Sequence, residues 1–360
     1  MLLLNPGPVT LSERVRRSML APDLCHRESE FFDLQDEARQ RLLAVYGVDA
    51  SEWCAVLVTA SGTGAVEGMV STLVPQDGRV LVAENGVYGE RIAQICARYR
   101  IAHERMTGDW LRPLDLAGIA RRIESGPRDG GARFTHLAAV HHETTSGRLN
   151  DLRSLGDLCR QHGIKLLVDA VSSFGAEPIE FADESLAAVA ATANKCLHGV
   201  PGLAFALVRR RALERSVSRT YYLDLARAAA AQDRRDTPFT PAVQAHYALL
   251  EALREHAEEG GWTARHQRYA ALAEQVRTGL AKLGVDTVLS PEESSVVLRS
   301  YRIPASTSYA ALHDGLKARG FVIYAGQGNL AAGLFRISTM GDLSGADIDR
   351  LLVSCGDLLR

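Results

Sequence analysis

Short apolar runs alternate with amphipathic stretches along the first two thirds of the chain. CAVLVTA (54–60), RVLVAEN (79–85), THLAAVHHE (135–143), KLLVDAVSS (165–173), AAVAATA (187–193) and LAFALVRR (203–210) are of strand length and apolar nearly throughout. AVEGMVSTLV (65–74), YGERIAQICARYR (88–100) and LRSLGDLCRQHG (152–163) carry a helical period between them. Strands apolar on both faces, alternating with helices, predict an α/β fold with a mostly parallel sheet covered by helices. RAAAAQ (227–232) reads as a short helix and GPRDGGAR (126–133) as a loop. After roughly residue 255 the pattern changes. SSVVLRSYRIP (294–304), FVIYAG (321–326) and LFRISTM (334–340) read as strands, SYAALHDGLKARG (308–320) and ADIDRLLVSCGDLLR (346–360) as helices. These predict a smaller C-terminal α+β domain. Residues 242–284 read as two helices interrupted near Gly260 and Gly261. The expected division is a large domain over 15–255 and a small one over 256–360, joined by residues 1–14.

Composition narrows the function classes. The chain has 360 residues, 46% hydrophobic and 23% charged, with a formal net charge of −2. That balance offers no basic field for nucleic acid or a membrane surface. No segment approaches the roughly 20 apolar residues that span a bilayer. The apolar run in MLLLNPGPVT is too short for a signal peptide and lacks a basic start. The six cysteines (Cys25, Cys54, Cys96, Cys159, Cys196 and Cys355) form no CxxC pair. Neither a disulfide framework nor a zinc knuckle is indicated, and a reducing cytoplasmic location is expected.

In a parallel sheet the ligand site lies beyond the carboxyl ends of the strands, and four features stand there. The first is Lys195 in TANKCLHGVPG, with apolar runs on both sides. It is either a solvated end-cap or a desolvated amine; removal from water lowers an amine's pKa and makes it a nucleophile toward carbonyls. The second is ASGTGAVE (60–67). Strand, Ser-Gly-Thr-Gly, helix is a phosphate cradle or an ordinary tight turn; in the cradle the backbone amides meet an anion, with Ser61 and Thr63 adding hydroxyls. The third is Asp169, directly after KLLV and 26 residues before Lys195. It caps the next turn or faces a cationic ring nitrogen. The fourth is Tyr88, a core ring or a stacking surface for a planar ligand. In HHETTSG (141–147) neighbouring strand residues point to opposite faces, so His141 and His142 do not easily share a metal. Thr144 and Thr145 are the expected donors of that loop, and no metal is expected. A cradle, a stacking ring, a carboxylate and a sheltered lysine together describe a pyridoxal phosphate site, in which lysine and aspartate serve the cofactor's aldehyde and ring nitrogen.

NPGPVT, CHRESEF, SGTGAVE, NGVYGERI, HHETTSG, VDAVSSFGA, ANKCLHGVPG and FRISTMG stand in this order over nearly the whole chain. In that order they resemble the class V aminotransferases of the pyridoxal phosphate-dependent transferase fold type I. The resemblance implies that Lys195 holds the cofactor and Asp169 faces its pyridinium. It implies that Ser61, Gly62 and Thr63 cradle the phosphate, that Tyr88 stacks, and that Thr145 and Val171 touch the cofactor. Thr240 in FTPAVQ would reach the phosphate from a second subunit. Arg336 in FRIS would clamp the substrate's acid group. His26 and Arg27 start a surface helix on the bland view; the resemblance makes them a substrate-anion site contributed in trans. The implied partners are a small phosphonate amine, 2-aminoethylphosphonate, a 2-oxo acid, pyruvate, and a second copy in a homodimer with composite active sites.

The chain departs from the family pattern at AGQ (325–327), where a Pro-Gly-Lys turn is usual, at RDTP (235–238), and in FRIS for FRIG. Phosphonoalanine/phosphonopyruvate and serine/alanine–glyoxylate chemistry therefore stand as alternative substrate pairs. A lyase or desulfurase would need a mobile cysteine over the cofactor, and Cys196 beside the lysine is expected to pack instead. A non-enzymatic cofactor-binding module is the remaining alternative, against which the Lys195–Asp169 pair speaks.

Overall fold

A computed structural model describes residues 1–214 and 216–359. Its centre is a seven-stranded sheet in the order Trp53–Val58, Ala204–Arg209, Leu186–Thr192, Lys165–Asp169, His136–Val140, Arg79–Glu84, Ala102–Thr107. All neighbours run parallel except Ala204–Arg209, which is antiparallel to both of its partners. Five of the seven strands are buried at every residue, as apolar strands covered on both faces must be. Leu186–Thr192 is rich in alanine, and helix Gly62–Leu73 lies close over it. Helix Leu152–His162 shows why these segments start and stop where they do. The Asp151 side chain accepts from Ser154 N at its start, and Gly163 at φ 65° ends it in the left-handed conformation.

Three expectations are corrected. THLAAVHHE is not one strand: it breaks after Val140, and His142–Glu143 pairs with Arg148–Leu149 in a separate two-stranded ribbon. FVIYAG is also divided. Phe321–Val322 pairs in parallel with Leu2–Leu3, while Tyr324–Ala325 joins Leu334–Ser338. The polar strand Ala102–Thr107, at the sheet edge, has no counterpart in the sequence reading. Its AHERMT is mostly solvent-facing and carries no apolar signal.

A second core lies between the sheet Leu298–Arg302, Leu334–Ser338, Tyr324–Ala325 and the helices Gly261–Ala281, Tyr309–Ala318 and Gly345–Leu359. Leu4 belongs to it, 1% exposed, beside Leu280, Phe321 and Ile337. The N-terminal segment is thus stapled to the far end of the sequence. Among the described residues no helix is long and apolar enough to cross a membrane. Leu4→Ala should cost about 2–5 kcal/mol, the usual price of a buried leucine side chain. Denaturant unfolding at equilibrium checks this, and an unchanged midpoint would mean that the segment is not anchored through Leu4.

Candidate active site

Strand Leu186–Thr192 ends, the chain turns through 193–203, and Ala204–Arg209 returns alongside it with Ala204 opposite Thr192. Lys195 lies on this turn. Ala193 N donates to Leu203 O, His198 N to Lys195 O and Gly199 N to Ala193 O, which fixes the turn. His198 takes a left-handed φ of 65°, held by contacts with Tyr269 and Gly341 N. Above Lys195 sits the segment of Pro6 and Gly7. Lys195 Nζ donates to Pro6 O, and a Cβ on Gly7 would stand 2.7 Å from both Nζ and Cδ of the lysine. With φ at 101°, Gly7 is also a position that other residues avoid. Burial lowers the Lys195 pKa to about 8, against the opposing pull of Asp169, while Arg336 and Arg91 push it the same way.

Asp169 ends its strand and is 6% exposed. Its Oδ1 accepts from Val171 N at 2.9 Å, and burial raises its pKa to about 6. Val171 packs on the next feature. A Cβ on Gly62 would come within 2.7 Å of a Val171 methyl, so only glycine lets this helix start approach the strand end. Ser61 is the N-cap of helix Gly62–Leu73, yet its hydroxyl makes no capping bond and is exposed. The first amides of the helix face outward, as at any helix start. Thr63 Oγ1 accepts from Arg91 Nη1 at 3.0 Å, and the Arg91 guanidinium lies 4.6 Å from the centroid of the Tyr88 ring.

The ribbon residue Glu143 organises the opposite wall. Its carboxylate is fully buried and takes four hydrogen bonds: Tyr88 N and Gly89 N at 3.2 Å, Thr145 N at 3.2 Å and Thr145 Oγ1 at 2.5 Å. It therefore holds Tyr88's helix start and Thr145 together. Gly86 leaves it room, since a Cβ there would stand 2.2 Å from the Glu143 carboxyl carbon. Burial raises the Glu143 pKa to about 7. Thr145 Oγ1 also accepts from Val87 N at 3.1 Å. While Glu143 is ionised, the one hydroxyl proton of Thr145 is committed to it, so the threonine meets a ligand as an acceptor. Protonation of Glu143 frees that hydroxyl to donate.

Arg336, 4% exposed on strand Leu334–Ser338, reaches across from the second core. Its Nε donates to Ala325 O at 2.8 Å, and its Nη1 to Thr144 O at 2.9 Å and Gln327 Oε1 at 3.2 Å. Nη2 is left without a protein acceptor among the described residues. The departure AGQ is therefore part of this wall: Ala325 and Gln327 aim the arginine.

His142 and His141 go separate ways. His142 Nδ1 lies 3.2 Å from Ser172 O, and its Nε2 is buried without a partner. His141 lines a different cleft with Asp151 and Trp262. Burial depresses both to about 4, which leaves them neutral at physiological pH. Cys196 packs in the core, its thiol pushed up to about 12 and bonded to Ser172 O. Among the described residues no hydrogen bond joins His26, Arg27 or Thr240 to Lys195, whose Nζ meets Pro6 O. Helix Ser29–Ala44 begins after them, so His26 and Arg27 sit in the turn before it. Arg27 Nη1 donates to Asp236 Oδ1 at 2.5 Å and Thr237 O at 2.8 Å. The structure thus brings Arg27 to the segment that carries Thr240, on one exposed surface. Glu143, Arg91 and the Pro6–Gly7 roof were not identified from sequence; Gln327 was noted only as part of the AGQ departure. Arg91 carries a legible signal: three residues after Tyr88 on a helix, it shares the tyrosine's face.

These residues fit the expected pyridoxal phosphate. A glycine that admits close approach, an uncapped serine and a helix start suit its phosphate. A lysine neutral near pH 8 suits its aldehyde, and a buried carboxylate suits its ring nitrogen. The unpartnered His142 Nε2 offers one further polar contact.

A family model for aminotransferase class-V matches residues 17–351. A 2-aminoethylphosphonate–pyruvate transaminase of Pseudomonas aeruginosa is 35% identical over 364 residues, covering 100% of this chain and 96% of the relative. One of Rhizobium meliloti is 34% identical, covering 99% and 93%. The solved alanine–glyoxylate aminotransferase of a Nostoc species superposes with a TM-score of 0.91 at 27% identity, over 100% of this chain and 95% of that one.

The lysine's pKa has a kinetic consequence. Below pH 8 its amine is charged and unreactive; above, it is neutral. Apoenzyme mixed with pyridoxal phosphate should take up the cofactor about tenfold faster at pH 9 than at pH 7, then level off. Stopped-flow absorbance measures it. A rate still climbing steeply toward pH 10.5 would show an amine in contact with water.

Proposed function

The chain belongs to the class-V aminotransferase family, and from that premise we propose that it moves an amino group between 2-aminoethylphosphonate and pyruvate. The chemistry is supported above all by Lys195, a partly buried amine packed under Pro6 and Gly7 and influenced by the buried Asp169. The substrate pair is supported by the printed activity of relatives aligned over the full chain at 34–35% identity. Pyridoxal phosphate, when bound, supplies an aldehyde for the amine and a ring that accepts electrons as a C–H bond breaks. The protein's part is positional and protonic. Lys195 Nζ holds the cofactor and then takes the proton from the carbon that bears the amino group. Asp169 keeps a proton on the ring nitrogen facing it. Ser61, Gly62 and Thr63 hold the phosphate, and Tyr88, Thr145 and Val171 wall the ring. Arg336, aimed by Thr144, Ala325 and Gln327, receives the acid group through Nη2. The inert Cys196 disfavours a desulfurase. Residues 15–255 act as the cofactor domain and 256–360, with 1–14, as the small domain. Free thiols suit a cytoplasmic location.

One observation favours a second reading of the substrate. Gln327, a neutral amide, stands where Arg336 meets its ligand, so the cleft carries less positive charge than a lysine would give it. A less anionic 2-oxo acid pair such as alanine–glyoxylate fits that cleft as well. The two readings separate on donor specificity. With pyruvate as acceptor, 2-aminoethylphosphonate should exceed β-alanine in kcat/KM by at least about a hundredfold, or about 2.7 kcal/mol. Guanidinium groups gain more from the second phosphonate charge than from a carboxylate. Comparable values would move the assignment to a carboxylate substrate.

The site is completed by a second copy. Beside Thr240 the surface carries Tyr221, 73% exposed, and Tyr222, 45% exposed, each with its ring against Phe239. Exposed aromatics of this kind mark interfaces. On this basis His26, Arg27 and Thr240 serve the neighbour's site in a two-fold dimer. Lys195→Ala and Arg27→Ala should each be nearly inactive alone. In a purified heterodimer of the two variants, one site keeps both intact residues, so activity should recover to about half of wild type. A heterodimer that stays inactive would place Arg27 in its own chain's site.

A further inference from the structure

The cradle at Ser61–Thr63 supplies neutral donors only. Helix Gly62–Leu73, GTGAVEGMVSTL, contains no lysine or arginine. A phosphate dianion taken partly out of water needs a compensating cation, or its desolvation is uncompensated. The other cations of the cleft are committed elsewhere. Lys195 is directed at Pro6 and serves as a neutral amine. Arg336 is bound from the far wall to Ala325, Thr144 and Gln327.

Arg91 is the cation that remains. It is half-buried on helix Val87–Arg98 and has no carboxylate within ion-pair distance among the described residues. A half-buried arginine without an acidic partner is uncommon in this chain, where most guanidinium groups are paired. Its Nη1 donates to Thr63 Oγ1 at 3.0 Å, which leaves the threonine's own proton to donate onward. The guanidinium lies over one face of Tyr88 at 4.6 Å from the centroid, so a cofactor ring stacking on Tyr88 has only the other face. One side chain thus touches both the cradle and the stacking residue.

We propose that Arg91 is the counter-charge for the cofactor's phosphate group, acting with Thr63 as a cation-backed phosphate site. This rests on the reading that the phosphate sits at Ser61–Thr63. Only one of the five guanidinium N–H donors is used by Thr63, and charge-assisted bonds from the others to phosphate oxygens are among the stronger polar contacts. The same positive charge lies close enough to Lys195 and Asp169 to influence both.

The test compares pyridoxal phosphate with pyridoxal, which lacks the phosphate. Dissociation constants for both are measured by absorbance on wild-type, Arg91→Gln and Arg91→Lys apoenzymes, with inorganic phosphate as a separate probe. Arg91→Gln should weaken pyridoxal phosphate binding by about thirtyfold, the scale of a charge-assisted contact, and change pyridoxal binding less than about twofold. Arg91→Lys keeps the charge and should recover most of the difference. Inorganic phosphate should raise the melting temperature of wild-type apoenzyme and not that of Arg91→Gln. Equal weakening of both ligands in Arg91→Gln would overturn the proposal and make Arg91 a support for the fold. So would a phosphate preference retained in full. A wild-type apoenzyme that binds pyridoxal as tightly as the phosphorylated form would instead refute the cradle itself.

Discussion

The cleft depends on partly withdrawing one amine, that of Lys195, from water. An ammonium ion resists burial, so a lysine end held dry must surrender its proton more readily. The partial burial of Lys195 draws on three separate pieces of chain. The first is the turn between two adjacent strands, which explains why an otherwise parallel sheet contains the antiparallel Ala204–Arg209. The second is the alanine-rich strand Leu186–Thr192, buried at every residue. The third is the Pro6–Gly7 roof, where any side chain on Gly7 would strike the lysine. The roof in turn requires its flanks to be pinned. Leu2–Leu3 does this by joining Phe321–Val322, and Leu4 by entering the second core.

Burial also draws the titrating groups of the cleft together. Asp169 rises from 3.8 to about 6, Glu143 from 4.5 to about 7, and Lys195 falls from 10.5 to about 8. Groups whose pKa values ordinarily lie far apart come within reach of neutral pH, the range in which acid–base groups work. Glu143 adds a mechanical side to this. Its charge state decides whether the Thr145 hydroxyl accepts or donates, and the same carboxylate fixes the helix start that carries Tyr88 and Arg91.

The large sheet was legible because its strands are apolar on both faces, and Lys195 and Asp169 were legible because charged residues at the ends of such strands are conspicuous. Ala102–Thr107 was not, since an edge strand with AHERMT has the composition of a loop and is held by one neighbour, Arg79–Glu84. The break after Val140 was hidden by a continuous apolar run; two of the four donors to Glu143, Tyr88 N and Gly89 N, come from a segment distant in sequence. Gln327 was noted as a departure in sequence, but its bond to Arg336 depends on a bend between two short strands. The split of FVIYAG had no local cause at all, because the partner of its first half lies some three hundred residues away at Leu2 and Leu3.

That distant pairing sets an order of events during synthesis. Residues 2–7 are synthesised some three hundred residues before the strand they dock on, Phe321–Val322. The nascent chain can build the central sheet and present Lys195 at its strand end well before the roof has anything to hold it. Through that interval the lysine is an ordinary wet ammonium. Its reactivity rises only when residues 2–7 meet Phe321–Val322, so that the amine is switched on by a late pairing in the fold.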